Sequence, residues 1–165
     1  MKVYHIKTII PKVVNESEEF NRIIDLNVEL LFRIYGGLSV EKGVYFTNHS
    51  TFVGDMEHED IFLFCDNLFL TKITKLLDYV TNRFGGVSYK IKEITLDVKL
   101  ERYKDELFHK MFYEKGCDPT DDYNLQIYLE DYVTYDDVLI KISEEGIDSL
   151  NDFERNVLDE ASKTL

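Results

Sequence analysis

Tryptophan is absent from this 165-residue chain, proline and cysteine occur twice each, and glycine occurs eight times. So little proline and glycine excludes collagen-like and low-complexity classes. The two cysteines, Cys65 and Cys117, lie far apart and lack CxxC spacing. Cys65 falls in an apolar run and reads as an inert core thiol. Long hydrophobic runs are also missing: nothing approaches the roughly 18 apolar residues of a membrane span. The start, MKVYHIKTIIPKVV, lacks an uninterrupted apolar stretch of about seven residues and a small-residue cleavage site, so it does not read as a signal peptide. Together these absences lead us to expect a cytoplasmic, reduced protein with no membrane association.

Basic charge is missing from one part of the chain in particular. Residues 1–104 carry 14 Lys+Arg against 15 Asp+Glu, whereas residues 105–165 carry 5 against 17. Nearly all of the formal net charge of −13 therefore lies in the last third. That asymmetry marks a module boundary and opposes direct binding to a phosphate backbone. A protein partner that is basic, or that itself binds nucleic acid, fits the sign better. Apolar material is ample: 44% of residues are hydrophobic, including 11 Tyr and 11 Phe, so a packed core is expected and wholesale disorder is not.

Periodicity supplies the elements. Residues 2–10 alternate as a strand stopped by Pro11. From Ser17 to Tyr35 the residues Phe20, Ile23, Ile24, Leu26, Leu30, Leu31 and Ile34 recur at helical spacing, with Gly36–Gly37 as the stop. Residues 38–47 read as a second strand, 48–57 as a polar connection, and 58–65 (HEDIFLFC) as a central, nearly continuous apolar strand. Asn67 is placed to cap a helix over 68–84, closed by Gly85–Gly86. Residues 88–101 read as a fourth strand with a phase change, assigned to a bulge near Lys92–Glu93. The order β-α-β-β-α-β predicts an α+β, ferredoxin-like domain over 1–104: a four-stranded antiparallel sheet, order 4-1-3-2, with two helices on one face.

The acidic extension, 105–165, reads as mainly helical. Residues 105–115 form a helix, GCDPTDDYN a loop, and 125–133 either strand or helix. Thr134 and Asn151 cap two short helices, the second with Glu154 three residues on in a capping-box arrangement. They predict an αα-hairpin over 134–162. The stretch DVLIKISEEGIDSLNDFERNVLDEAS (137–162) resembles a C-terminal tail module carried by many uncharacterised Bacteroidota and phage proteins. Similar tails follow rhomboid-type proteases in Bacteroidota. The matching positions are Leu139, Ile142, Ser143, Gly146, Ile147, Asp148, Ser149, Leu150, Glu154, Leu158 and Ser162, with Asn151 where family tails carry Thr or Ser. The resemblance implies an origin in Bacteroidota or their phages and a modular docking tail. It carries over no active-site residue.

Four constellations carry candidate chemistry. His49, Asp55, His58, Glu59 and Asp60 surround the 48–60 connection and could serve a metal-dependent enzyme, but no HExxH, HxH or CxxC spacing supports that over a solvated acidic loop. Cys117 with His109, and serines without a G-x-S-x-G context, carry no nucleophile signature. Tyr45, Phe62 and Phe64 could form a stacking face for RNA, yet the strand HEDIFLFC lacks basic residues. The same rings could instead lie under the acidic segment, on a sheet covered on both sides. Acidic residues including Asp121, Asp122, Asp131, Asp136 and Asp137 could mimic a phosphate array. The expectation is therefore a non-enzymatic interaction or accessory protein with no cofactor and no metal. Its partner-binding candidates are Tyr45, Phe62, Phe64, Asp121, Asp122, Asp131, Asp136 and Asp137. An acidic decoy inhibitor of a nucleic-acid-binding defence protein and a small metal-dependent enzyme are the alternatives.

Overall fold

Strand β1 (Lys2–Pro11) and strand β3 (Met56–Cys65) form the centre of the structure, paired antiparallel over ten residues from Lys2 opposite Cys65 to Pro11 opposite Met56. The computed structural model of the protein describes residues 1–164. Strand β2 (Tyr45–Val53) flanks β3, and β4 (Ser88–Glu93) flanks β1, so the four-stranded antiparallel sheet has the order β2-β3-β1-β4. The fold is α+β. The chain divides into two compact units, Met1–Ile94 and a second that begins at Thr95. The division lies ten residues before the break in charge.

In the first unit, α1 (Lys12–Asn15) is a single turn. The long helix α2 (Glu18–Tyr35) is capped by the Ser17 hydroxyl, which accepts from the Phe20 amide at 3.2 Å. It ends at Gly36, whose φ of 65° is the left-handed conformation open to glycine. Helix α3 (Asn67–Arg83) is capped one residue earlier than the sequence suggests: Asp66, not Asn67, accepts from the Phe69 amide at 2.7 Å. Tyr4, Ile6, Leu63 and Cys65 on the sheet pack with Leu31 and Phe69 in one core cluster. Ile10, Val14, Phe20, Val80 and Val87 form a second. Val3–Ile6 and Phe62–Cys65 are buried without a break. Because side chains alternate between faces, water is excluded from both faces at this end of the central strands.

The segment 38–57 departs from expectation. Of the strand placed at 38–47 only Tyr45–Thr47 is extended, and before it the chain makes a 3-10 turn, Val40–Lys42, bridged by Ser39 opposite Val44. The connection placed at 48–57 is ordered as a β-hairpin, with β2 and β3 in unbroken register from Tyr45 opposite Phe64 to Val53 opposite Met56. Gly54, at φ 61°, takes the first central position of the two-residue turn, where a type II′ hairpin requires glycine. Polarity had masked the strand. Thr, Phe and Val at 51–53 favour extended structure, and an outer strand needs no buried side chain to be held by its neighbour.

The fourth strand is also shorter than expected. It stops at Glu93, and residues 95–99 turn into helix α4 (Thr95–Lys99) with no bulge. Ile94, Val98 and Leu100 are buried while Leu96 is 38% exposed, so the apparent period of two masked a helical one.

The second unit adds α5 (Glu106–Phe112), α6 (Pro119–Tyr132), α7 (Tyr135–Glu145) and α8 (Asp152–Thr164). The segment expected as a loop is largely the start of α6: Asp118 caps it, accepting from Thr120 at 2.7 Å, and Pro119 takes the first helical position. The ambiguous segment 125–133 is helix to Tyr132. Both predicted caps of the terminal hairpin are present. Thr134 and Asp137 form a capping box, and Asn151 and Glu154 exchange hydrogen bonds at 2.8 and 2.9 Å. Glu154 also accepts from Lys141 Nζ with both oxygens, at 2.8 and 3.0 Å, and both side chains are almost fully buried. A buried carboxylate is tolerated when its charge is paired and its lone pairs are used, and Glu154 meets both conditions.

Two measurements follow. Lys141→Met strands the Glu154 carboxylate in a dry site and should cost about 3–5 kcal/mol in denaturant unfolding. Burial pushes the Cys65 thiol up to about 12, whereas Cys117 is only half-buried. A thiol reagent should therefore label Cys117 alone in the native protein and both cysteines in denaturant.

Candidate functional site

Helix α2 carries more apolar residues than one buried face can absorb. At 100° per residue, Phe20, Ile23, Ile24, Leu26, Leu30, Leu31 and Ile34 cover about half of the helix circumference, more than the stripe of a typical half-buried helix. The structure shows the result. Phe20 and Leu31 are buried, but Leu26, Leu30 and Ile34, four residues apart, are each more than half exposed. They form a stripe along the outside of the sheet-helix unit. On α3 the same logic places Leu68, Lys72, Lys75 and Tyr79 on one outer stripe, with Leu68 and Tyr79 also more than half exposed.

Between the two helices lies an open groove lined by Ile23, Leu26 and Asn27 from α2 and by Lys72, Lys75, Leu76 and Tyr79 from α3. Its charged lining is entirely basic. Among the described residues, the Lys and Arg ion pairs of this unit join Lys2 to Glu93, Lys7 to Asp60, Lys12 to Glu16, Arg33 to Glu29 and Arg83 to Glu19, and none of them includes Lys72 or Lys75. On a chain of net charge −13, an apolar trough with two ammonium groups on its rim is a distinct chemical surface. It offers apolar area and positive charge in one place.

The residues singled out from the sequence do not come together. Tyr45, Phe62 and Phe64 are buried, with Phe62 against His5 at 4.4 Å between ring centroids and Tyr45 against Phe64 at 6.0 Å. None of the three rings presents a stacking face. Asp121 is buried in the first turn of α6, while Asp122, Asp131 and Asp136 are exposed. Asp137 is committed internally: it accepts from Thr134 and pairs with Lys99 at 2.8 Å. Burial alone would raise its carboxyl, but the hydrogen bonds from Lys99 and Thr134 outweigh burial and hold it below the ordinary aspartate value.

The residues of the 48–60 segment are spread along a hairpin. His49 faces Asp60 across the strands, and His58 faces Thr51. Asp60 accepts from His5 Nε2 at 2.6 Å and Lys7 Nζ at 3.1 Å. Burial alone would raise its carboxyl, but those partners bring it below its usual range. Glu59, on the opposite face, is raised by burial despite hydrogen bonds from Asn48 at 2.6 Å and Thr8 at 3.4 Å. Among the described residues no three His, Cys, Asp or Glu side chains converge as a metal site. His109 packs on Tyr113 at 5.6 Å.

The groove itself was missed at the sequence level. The available signal was the excessive width of the apolar arc on α2, which contains all three exposed residues of its stripe. No family model matches the chain, and no curated protein or solved structure matches it.

Because the stripe is exposed, it adds nothing to the core. The double substitution Leu26→Glu with Leu30→Glu should change unfolding free energy by no more than about 0.5 kcal/mol, and circular dichroism during melting checks this.

Proposed function

We propose that this chain is a non-enzymatic protein-interaction module whose α2–α3 groove receives an amphipathic helix of a partner protein. The observation that carries the reading is the exposed stripe Leu26, Leu30 and Ile34 beside a trough rimmed by Lys72 and Lys75. A helix presenting apolar residues at i, i+3, i+4 and i+7 with carboxylates on its flanks complements that surface in both shape and charge. Burying the exposed part of each large apolar side chain is worth about 1 kcal/mol, so the stripe and Tyr79 supply a modest, reversible affinity. Docking at this face involves no covalent step and no cofactor.

The sheet order supports a ferredoxin-like assignment for the first unit, since β2-β3-β1-β4 read from the other edge is the 4-1-3-2 arrangement with α2 and α3 as its crossover helices. The helices are then the outward layer, which is where the groove lies. The resemblance over 137–162 supports an accessory role in a Bacteroidota bacterium or its phage, with the tail as a second contact. A cytoplasmic location agrees with the free thiols, and no described helix is long and apolar enough to cross a membrane.

The decoy reading has less support. Asp105 and Asp118 cap helices, Asp121, Asp122, Asp136 and Asp152 lie in first turns, and Asp137 and Glu154 are held in pairs. Much of the acidity therefore complements helix N-termini. The reading of a metal-dependent enzyme using the 48–60 loop has less support, since that segment is a hairpin and among the described residues no three His, Cys, Asp or Glu side chains converge as a metal site.

The test is capture of partners by the full chain from extract of a Bacteroidota host, with identification by mass spectrometry. It is followed by titration of the captured partner's amphipathic helix as a peptide. Leu26→Glu with Leu30→Glu should weaken peptide binding by about tenfold or more, and Lys72→Glu with Lys75→Glu should weaken it with a loss of salt dependence. Undiminished capture and affinity in both variants would sink the reading.

A further inference from the structure

The two edges of the sheet are built differently. Strand β4 (SYKIKE) carries Lys90, Lys92 and Glu93, the charged residues that natural edge strands use to discourage pairing with another chain. Strand β2 (YFTNHSTFV) has no Asp, Glu, Lys, Arg or Pro in nine residues, in a chain that is 31% charged. Its register with β3 runs without a bulge, so nothing twists the edge away. Residues 48–53 are exposed throughout, with Phe52 at 62% and Val53 at 64%. In the sheet β2 pairs with β3 alone. A long, regular, uncharged and exposed edge is a template for one more strand.

The strand's own sequence indicates which strand that is. Read outward from His49, the polarity of β2 is nearly palindromic: Asn48 mirrors Ser50, Thr47 mirrors Thr51, and Phe46 mirrors Phe52. An antiparallel pair of two β2 strands about a twofold axis at His49 places each of these residues opposite its mirror. Phe meets Phe on one face of the sheet, and Thr meets Thr on the other. Aromatic–aromatic and Thr–Thr pairs are the favourable cross-strand pairs of an antiparallel ladder. A slip of one residue in either direction breaks both the Phe–Phe and the Thr–Thr pairs and sets one of the two Phe residues against a Thr, so the pattern selects one register. The geometry is also the one symmetry prefers, since a twofold interface uses the same surface on both subunits. A partner peptide of unrelated sequence would gain nothing from the mirror pattern.

We propose that the β2 edge is a homodimerisation site, joining two copies of this chain into a continuous eight-stranded antiparallel sheet centred on His49. The contact uses the sheet edge and leaves the α2–α3 groove free, so it stands or falls independently of the docking proposal.

Sedimentation equilibrium across a concentration series tests it. The full chain should approach twice the 19.5 kDa of one subunit. His49→Lys sets two ammonium groups opposite each other on the axis and should weaken dimerisation by about tenfold or more, with the melting curve of the subunit unchanged because residue 49 is exposed. Register is read by crosslinking in a Cys117→Ser background. Directly opposed residues have Cα atoms about 4.5–5.5 Å apart, within disulfide reach, so His49→Cys should form an intermolecular disulfide on mild oxidation. Phe52→Cys should not, because its counterpart is Phe46. A mass of one subunit at every concentration overturns the proposal. So does a dimer indifferent to His49→Lys, or one that crosslinks through Phe52→Cys and not through His49→Cys.

Discussion

The ten-residue antiparallel ladder between β1 and β3 is the constraint from which the first unit follows. These strands carry the longest uninterrupted burial in the chain, Val3–Ile6 and Phe62–Cys65, and their register decides what lies on each face. With Ile6 opposite Ile61 and Tyr4 opposite Leu63, the face under the helices is apolar over this stretch and turns polar at Thr8 opposite Glu59. With His5 opposite Phe62 and Lys7 opposite Asp60, the other face is apolar only at one end. A slip of one residue would exchange the two sets and expose the helix-packing surface. Every other element of the unit is placed by this ladder: β2 and β4 on its flanks, and α2 and α3 over its apolar face.

Both functional surfaces proposed for the first unit arise where that packing is complete and material is left over. Helix α2 buries Phe20 and Leu31 against the unit and packs Ile23, Ile24 and Tyr35 beside them, while Leu26, Leu30 and Ile34 stay more than half exposed. Strand β2 completes the sheet through β3, and its outer edge is left without the charges found on β4. Neither feature stabilises the subunit, and each exposes surface that a protein remaining alone would be expected to guard.

The acidic second unit has a simpler physical basis than its net charge suggests. It is assembled from short helices, and each helix brings an N-terminus with unpaired amides and a partial positive charge. Asp105, Asp118, Asp137 and Glu154 satisfy those amides directly, and Lys141 neutralises Glu154 where both are buried. Charge density follows the density of helix starts, which is why the charge break and the boundary between compact units fall close together but not at the same residue.

The sequence alone determined the elements whose signals are local: β1 up to its proline, α2 with its Gly36 stop, the apolar β3, and the two terminal helices with their Thr134 and Asn151 caps. In each, periodicity and capping chemistry act within a few residues of one another. Tertiary structure decided the rest, because the deciding interactions were distant or conflicted with local appearance. A polar segment became β2 because Gly54 allows the turn and β3 supplies the hydrogen bonds. An even-spaced apolar run became α4. Tyr45, Phe62 and Phe64, legible either as an exposed face or as a covered one, are buried, while Leu26, Leu30 and Ile34, legible as core, are on the surface. A helical repeat states how many apolar residues share a side of the helix. Only the packed neighbours determine how wide a strip of that side is covered.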